Sequence, residues 1–213
     1  MHVYGRKLLF VGAHPDDIEL GCGALLSNLG GKADVLCVTL SDNQENPALH
    51  NLVEEHYRSM ALLGIGRDKI VLGPFETRIF PRDRQEILEF LFELNRSYQP
   101  DIVFVHTQAD IHQDHAVATV ETLRAFRGTT VLGFDVLRSS YGFFPNFLVE
   151  VSEADVEKKV RCLQEYSTYC DKYYFSEGVI RSTLVRHGAL AERPYAEGFD
   201  ILRIIGRFEG DRV

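Results

Sequence analysis

The 213-residue sequence predicts an α/β fold with a mainly parallel sheet, and two observations support this prediction. First, five short runs rich in Val, Ile, Leu and Phe are apolar almost without interruption, which is typical of strands covered on both faces. Second, segments with apolar residues at helical spacing alternate with these runs along the chain. Such alternation favours parallel strands joined by right-handed crossovers, and therefore a Rossmann-like three-layer sandwich.

The five apolar runs predict strands at residues 7–13, 33–40, 69–73, 101–106 and 130–137. The segments between them predict helices at residues 18–29, 52–63, 83–98 and 115–126. A further strand at 146–152 alternates polar and apolar residues, which places it near an edge of the sheet. Residues 153–166 are predicted to form a charged amphipathic helix, whereas residues 167–194 show no clear pattern. The length and the hydrophobic content of 45% are those of one domain spanning residues 1–213.

The composition excludes some classes of partner. The net charge is -8, and no run of Lys and Arg is present, so we expect no nucleic-acid partner. No apolar stretch is long enough to span a bilayer, and the N-terminus lacks the pattern of a signal peptide. We therefore expect a cytoplasmic protein without a membrane partner. Association into a homo-oligomer is left open by the sequence.

The four cysteines have no C-x-x-C spacing and stand in segments predicted to be regular structure. We predict that they are small buried apolar residues rather than metal ligands: Cys22, Cys37, Cys162 and Cys170.

Two polar clusters follow the first and fourth predicted strands. The first is "HPDD", with His14, Asp16 and Asp17, and the second is "HTQADIHQDH" at residues 106–115. In an open parallel sheet, ligands bind beyond the carboxyl ends of the strands. If these two strands are neighbours, both clusters meet at one site. Ionisable groups placed at the edge of a core must be paired, hydrogen-bonded or bound to a metal.

The residue types in these clusters indicate a catalytic metal. Zinc binds imidazole and carboxylate groups, and a catalytic site has three protein ligands and an open position for water. His14 and Asp17 are candidates for two of these ligands. The third is His112 or His115, and the residues alone leave this choice open. Asp16 would then lie beside the water as a general base.

Other interpretations explain single residues of the clusters. Asp16 or Asp17 could cap the helix that starts near residue 18, but capping does not explain both aspartates and a histidine. His106, at a strand end, is predicted to be a hydrogen-bonded structural histidine rather than a fourth ligand. The "GCGALL" stretch is only superficially similar to a dinucleotide-binding loop, because it lies inside a helix and lacks the third glycine.

The two clusters resemble the motifs of the LmbE-like, or PIG-L-like, zinc-dependent N-deacetylases of glycoconjugates. The resemblance depends on "AHPDDIELGCG" at residues 13–23 and on "DIHQDH" at residues 110–115. The segment "RPYAEGFDILR" at residues 193–203 is a less specific match. Weaker similarity covers most of the chain.

The resemblance implies a role for each matching residue. Three residues match the ligands of Zn²⁺, or of another divalent metal in its place: His14, Asp17 and His115. Asp16 matches the general base. His112 matches the histidine that stabilises the oxyanion or protonates the leaving amine, and Asp114 matches the carboxylate that orients it.

These matches imply an amide hydrolase that removes the acetyl group from a small-molecule N-acetylated sugar of the N-acetylglucosamine type. The alternatives are a catalytically silent protein and a nucleotide-binding protein of the same architecture. The "HPDD" carboxylates oppose the latter, because they would repel a phosphate. Outside the metal site, Arg78 and Glu197 are predicted to contact the substrate.

Overall fold

The computed structural model describes residues 5–43 and 47–206, which form a seven-stranded sheet between two helical layers. The strands are β1 (Lys7–Gly12), β2 (Asp34–Thr39), β3 (Ile70–Leu72), β4 (Ile102–His106), β5 (Thr130–Phe134), β6 (Phe147–Glu150) and β7 (Ala196–Arg203). Their order across the sheet is β3-β2-β1-β4-β5-β7-β6. Strands β1 to β5 are parallel, whereas β7 is antiparallel to both β5 and β6. The predicted α/β fold with a mainly parallel sheet is confirmed.

The helices are α1 (Asp17–Leu29), α2 (Leu52–Leu62), α3 (Arg84–Tyr98), α4 (Gln113–Ala125), α5 (Glu153–Gln164) and α6 (Glu177–Leu190). The first five lie where helical spacing predicts them. Helix α6 lies in the segment without a clear pattern, and β7 was not predicted as a strand. Strand β6 is at the edge of the sheet, as its alternating sequence indicates.

Alternating side chains of each central strand enter two separate cores. Leu8 and Phe10 of β1 pack in the core that contains α1, α2, α5 and α6. Leu9 and Val11 pack in the core that contains α3 and α4. All four are fully buried, which explains why the strand sequence is continuously apolar rather than alternating.

The two glycines of "GCG" in α1 allow close packing rather than phosphate binding. A Cβ atom at Gly21 would lie 2.3 Å from the ring of Phe134 on β5. A Cβ atom at Gly23 would lie 3.0 Å from the Lys159 side chain on α5. The helix therefore approaches its neighbours at positions where a larger residue would clash.

A buried ion pair joins α1, α5 and β7. The Lys159 ammonium lies 2.6 Å from Glu197 Oε1 and also donates to the Leu20 carbonyl. The Glu197 carboxylate accepts hydrogen bonds from the backbone N–H groups of Ala24 and Leu25, inside α1. Glu197 is 2% exposed and fully engaged in these contacts. Our prediction that Glu197 contacts the substrate is corrected, because its carboxylate holds the core together instead.

We expect the Glu197→Gln substitution to lower the free energy of unfolding by about 3–5 kcal/mol, the usual cost of breaking a buried ion pair. The physical reason is that Lys159, 5% exposed, would keep its charge without a carboxylate partner. Urea denaturation followed by circular dichroism measures the change. The exposed Glu157→Gln on α5 is the control, with a change within about 0.5 kcal/mol. A loss for Glu197→Gln no larger than that of the control contradicts the assignment.

The prediction that the four cysteines are buried is confirmed for three of them and wrong for one. Cys22, Cys37 and Cys162 are buried, as predicted, but Cys170 is exposed, because it lies in a turn that leaves its side chain outside the core. Within residues 5–43 and 47–206, none of the helices combines the length and the apolar character needed to cross a membrane.

Candidate metal centre and active site

The two polar clusters meet because β1 and β4 are adjacent parallel strands. His14 follows β1, and its Nε2 atom lies 3.0 Å from Asp114 Oδ2 in α4, one hundred residues away in sequence. At the same edge, the Ala13 backbone N–H donates to His106 Nε2 over 3.0 Å. The topology thus produces the shared site that the strand ends predict.

Three potential ligand atoms form a nearly equilateral triangle. His14 Nδ1 lies 3.5 Å from Asp17 Oδ2, and His115 Nε2 lies 3.5 Å from the same oxygen. The two imidazole nitrogens are 3.3 Å apart. Ligands about 2.0–2.1 Å from a tetrahedral zinc ion stand about 3.3–3.4 Å from one another. The donor types and their spacing therefore fit a divalent metal of the predicted kind.

Each of the two imidazoles in this triangle has a carboxylate partner on its other nitrogen. His14 donates from Nε2 to Asp114, and His115 donates from Nδ1 to Asp110 over 2.8 Å. When each ring is neutral, these hydrogen bonds place its proton on the outer nitrogen, so His14 Nδ1 and His115 Nε2 are the atoms that would bind a metal in the triangle. Carboxylate–imidazole pairs of this kind orient metal-binding histidines and raise their basicity.

Asp114 differs from the role that the family resemblance implies. Its carboxylate accepts from His14 and from the backbone N–H groups of Arg78 and Phe80, at 2.6 and 3.3 Å. Only its backbone N–H contacts His112, donating to Nδ1 over 3.2 Å. The carboxylate therefore positions a predicted metal ligand, whereas His112 is oriented by capping α4.

Asp110 is a residue to which sequence reasoning assigned no role. Besides His115 Nδ1, its carboxylate accepts from the His112 backbone N–H over 2.8 Å and from the hydroxyls of Ser139 and Ser140. The position of Asp110 in the "DIHQDH" motif was the available signal. Its partners in the loop after β5 become visible only in the fold.

His106 has the contacts of a structural histidine, in agreement with our interpretation. Its Nε2 atom lies 3.3 Å from Asp17 Oδ2, but this nitrogen already accepts the Ala13 hydrogen bond. Its ring stacks on that of His115 at 3.9 Å between centroids. The His106 ring therefore packs against one face of the His115 ring.

Two further sets of donors are also close enough to share a metal ion. His14, His112 and His115 each place one ring nitrogen within 4.8 Å of the others, as do Asp17, His106 and His115. His115 is common to every arrangement, which makes it the ligand whose removal tests them all.

Asp16 precedes α1 in an uncommon backbone conformation. Its φ of 103° is in the left-handed region, which is strained for residues other than glycine, and its side chain makes no capping hydrogen bond to α1. Asp17 does not cap the helix either, because its Oδ2 accepts the His14 backbone N–H. Capping thus explains neither aspartate. Asp16 lines the same cavity as the triangle of donors.

Burial and neighbouring charges adjust the pKa values of the carboxyl groups and imidazoles. Burial, with the charges of Asp17 and Glu19, raises the pKa of Asp16 well above its usual range. Burial by itself would lower the pKa of His14, but hydrogen bonds to Asp114 and Asp17 outweigh it and raise the pKa to about 9. In the metal-free protein, the neighbouring carboxylates therefore favour the protonated, positively charged form of His14.

The pKa of His112 shifts in the opposite direction to that of His14, to below its usual value, so its ring is neutral at pH 7. Burial and the positive charges of His115 and His14 lower its pKa. Because Nδ1 accepts the backbone N–H of Asp114, the proton of the neutral ring is on Nε2. His112 is half-buried beside the predicted metal ligands and offers a hydrogen-bond donor there.

A cavity of about 600 Å³ contains these groups. His14, Asp16, Asp17, His112 and His115 all line it. The predicted substrate residue Arg78 also lines this cavity, at its exposed side. Glu197 belongs to a separate, smaller cavity. A volume of this size accommodates a sugar-sized ligand.

Comparison with known proteins identifies the family. The model of the PIG-L family, described as GlcNAc-PI de-N-acetylase, matches residues 9–126. The chain belongs to the PIG-L family. The matched segment contains both polar clusters, from β1 to the end of α4.

Individual relatives of this PIG-L family member are described as deacetylases. An uncharacterized deacetylase of Escherichia coli, YaiS, is 29% identical over 76% of this chain and 91% of its own length. The diacetylchitobiose deacetylase of Thermococcus kodakarensis is 26% identical, with 91% of this chain and 82% of its own length covered. The structure of the N,N'-diacetylchitobiose deacetylase from Pyrococcus horikoshii is similar with a TM-score of 0.75 at 21% identity, over 92% of this chain and 84% of that one. The last similarity shows a shared fold.

Proposed function

We propose that this protein is a divalent-metal-dependent N-deacetylase that hydrolyses the acetamido group of an N-acetylated amino sugar of the N-acetylglucosamine type. The observation that supports this most directly is the triangle of His14, Asp17 and His115, with Asp16 beside it in one cavity. The family description and the names of two relatives agree with this reaction. We propose zinc as the metal because two imidazoles and one carboxylate suit it.

The reaction consumes one water molecule and converts the amide into a free amine and acetate. A divalent ion in this site would polarise the amide carbonyl and make water more acidic. Asp16 accepts the proton of the attacking water as the new C–O bond forms. His112 donates from Nε2 to the carbonyl oxygen, on which negative charge develops. When the C–N bond breaks, the Asp16 carboxyl returns the proton to the leaving nitrogen.

The neighbouring residues keep these groups in place. Asp114 and Asp110 hold the His14 and His115 rings in the orientations described above. The Asp110 carboxylate also accepts the His112 backbone N–H, so one side chain connects a predicted ligand with the oxyanion donor. Such preorganised donors lower the cost of developing charge because they do not have to reorient during the reaction.

The test is acetate release from a panel of N-acetylated sugars, assayed with added zinc and after treatment with a chelator. We expect acetate and free amine in equal amounts, loss of both after chelation, and recovery when zinc is restored. The Asp16→Asn variant controls for contaminating deacetylases. The proposal fails if no member of the panel releases acetate, or if metal-free protein retains full activity.

A further inference from the structure

Strand β7 carries a carboxylate that reaches across its neighbouring strand. Asp200 lies opposite Gly133 of β5 in the antiparallel β5–β7 pair. A Cβ atom at Gly133 would lie 1.9 Å from Asp200 Oδ1, so the glycine leaves the space that the carboxylate occupies. A glycine inside a strand weakens that strand and marks a place where another group approaches closely. Here the approaching group is the Asp200 carboxylate, which extends over β5 towards the end of β4.

This position is energetically costly for a carboxylate. Asp200 Oδ1 is buried and has no hydrogen-bond partner among the residues that the structure describes. Burial raises the pKa of Asp200 above its usual value, although a hydrogen bond from Thr107 opposes the shift. Buried polar atoms without a partner are rare in folded proteins, and departures of this kind are expected where they serve a functional site. Stability by itself therefore does not explain Asp200, and the contact of its other oxygen is informative.

The other oxygen, Asp200 Oδ2, accepts the hydroxyl of Thr107 over 2.8 Å. Thr107 directly follows β4 and is fully buried. Its Oγ1 atom accepts the backbone N–H of Ala109 over 3.2 Å, and its carbonyl accepts the N–H of Asp110 over 3.3 Å. A hydroxyl has one proton to donate, so the contact with Asp200 fixes the orientation that leaves a lone pair for Ala109. Both hydrogen bonds close the turn at residues 107–110.

The turn at residues 107–110 ends at the carboxylate that orients a predicted metal ligand. Asp110 accepts from His115 Nδ1 and from the His112 backbone N–H. A chain of contacts therefore connects β7 with the metal centre. Thr107, Asp110 and His115 are all buried, so no link of this chain is exposed to solvent. Because protein interiors are close-packed, a displacement at one link is transmitted to the next.

We propose that Asp200 is a positioning residue of the metal centre, because it fixes the turn that presents Asp110 to His115. This inference rests on the proposed function and gives a role to the segment at residues 193–203, of which Asp200 is part. Asp200 acts through the Thr107 hydroxyl and takes no part in the hydrolysis itself. Metal-binding histidines depend on such supporting contacts for their orientation.

The first arm of the test measures zinc affinity by competition with a chromophoric chelator. Thr107→Val removes the hydroxyl with little change in volume, and Asp200→Leu removes its acceptor. We expect each substitution to lower the affinity by about tenfold, the lower end of the effect that partners of metal-binding histidines have. Asp200→Asn keeps a carbonyl that accepts from Thr107, so its affinity stays close to that of the wild type. An equal loss in Asp200→Asn and Asp200→Leu overturns the inference, because the charge would then matter instead of the hydrogen bond.

The second arm separates a positioning role from a general loss of stability. If Asp200 acts through Thr107, the double variant Thr107→Val/Asp200→Leu loses no more zinc affinity than Thr107→Val. The matched control is Asp155→Leu, which removes a buried carboxylate that caps α5, outside the lining of the active-site cavity. It lowers the free energy of unfolding and leaves the zinc affinity unchanged. Losses that multiply in the double variant overturn the inference, as does wild-type affinity in both single variants.

The third arm requires no metal and separates this inference from the proposed function. Burial lowers the pKa of His115, so at mildly alkaline pH its ring is neutral, with its proton on Nδ1 facing Asp110. Imidazole ¹⁵N NMR of the metal-free protein reports this tautomer. We expect Asp200→Leu to move part of the population to the Nε2–H form and Asp155→Leu to leave it unchanged. If the wild type binds no divalent metal, the proposed function fails, and this spectrum still decides: a shift supports the role of Asp200, whereas an unchanged spectrum overturns it.

Discussion

The Asp16→Asn variant is expected to lose turnover by about 10²- to 10⁴-fold, the usual contribution of a general base, and to retain its metal. Asparagine has the same shape as aspartate but cannot accept a proton from water. It also tolerates positive φ better than most residues, so the strained turn before α1 can remain intact. Steady-state acetate release and elemental analysis of the same preparation measure both quantities.

The matched control for this substitution is Asp171→Asn, which changes an exposed aspartate outside the described cavity lining. We expect its turnover to match that of the wild type. Near-normal turnover of Asp16→Asn with metal bound would show that Asp16 is not the base. A loss of turnover that accompanies a loss of metal would instead place Asp16 among the ligands.

The His115→Ala variant is expected to lose both the metal and the activity. His115 contributes a nitrogen to the triangle with His14 and Asp17 and to each alternative set of donors. The Asp110→Asn substitution leaves all ligands in place but removes the carboxylate that orients His115 and also accepts from the His112 backbone N–H, so the affinity for metal falls by about 10–100-fold. Metal content after dialysis and competition with a chromophoric chelator measure these losses.

Two further histidine variants complete this experiment. His50 is exposed and outside the site, so His50→Ala should bind metal like the wild type. His112→Ala should keep the metal but lose turnover, because we assign His112 to the oxyanion rather than to the metal. Loss of metal from His112→Ala would favour the set of His14, His112 and His115 over the two sets that include Asp17. Full metal occupancy in His115→Ala would contradict all three sets.

The sequence predicts most of the fold because the signals are local. Strands buried on both faces are continuously apolar, and β1 to β5 all lie within runs of this kind. Helices α1 to α5 have apolar residues on one face, so their spacing is informative. Helix α6 and strand β7 were missed for a physical reason. The helix packs only a few buried residues against the core, and β7 carries Glu197 and Asp200 on strand positions that are normally apolar.

By itself, the sequence determines which side chains can perform chemistry and which strand ends present them. The "HPDD" and "DIHQDH" motifs contain the donors, and the alternation of strands and helices brings the two motifs to one edge of a parallel sheet. These are properties of residue type and local spacing. They therefore require no knowledge of contacts between distant parts of the chain.

Only the tertiary structure decided how these side chains are partnered. The Asp114 carboxylate binds His14, one hundred residues away, instead of its neighbour His112, and Glu197 binds Lys159 in the core instead of a substrate. A carboxylate can accept from any donor within reach, and sequence spacing does not say which donor that is. The order of the strands and the packing of α1 against β5 and β7 bring particular donors within about 3 Å, the distance at which a hydrogen bond forms.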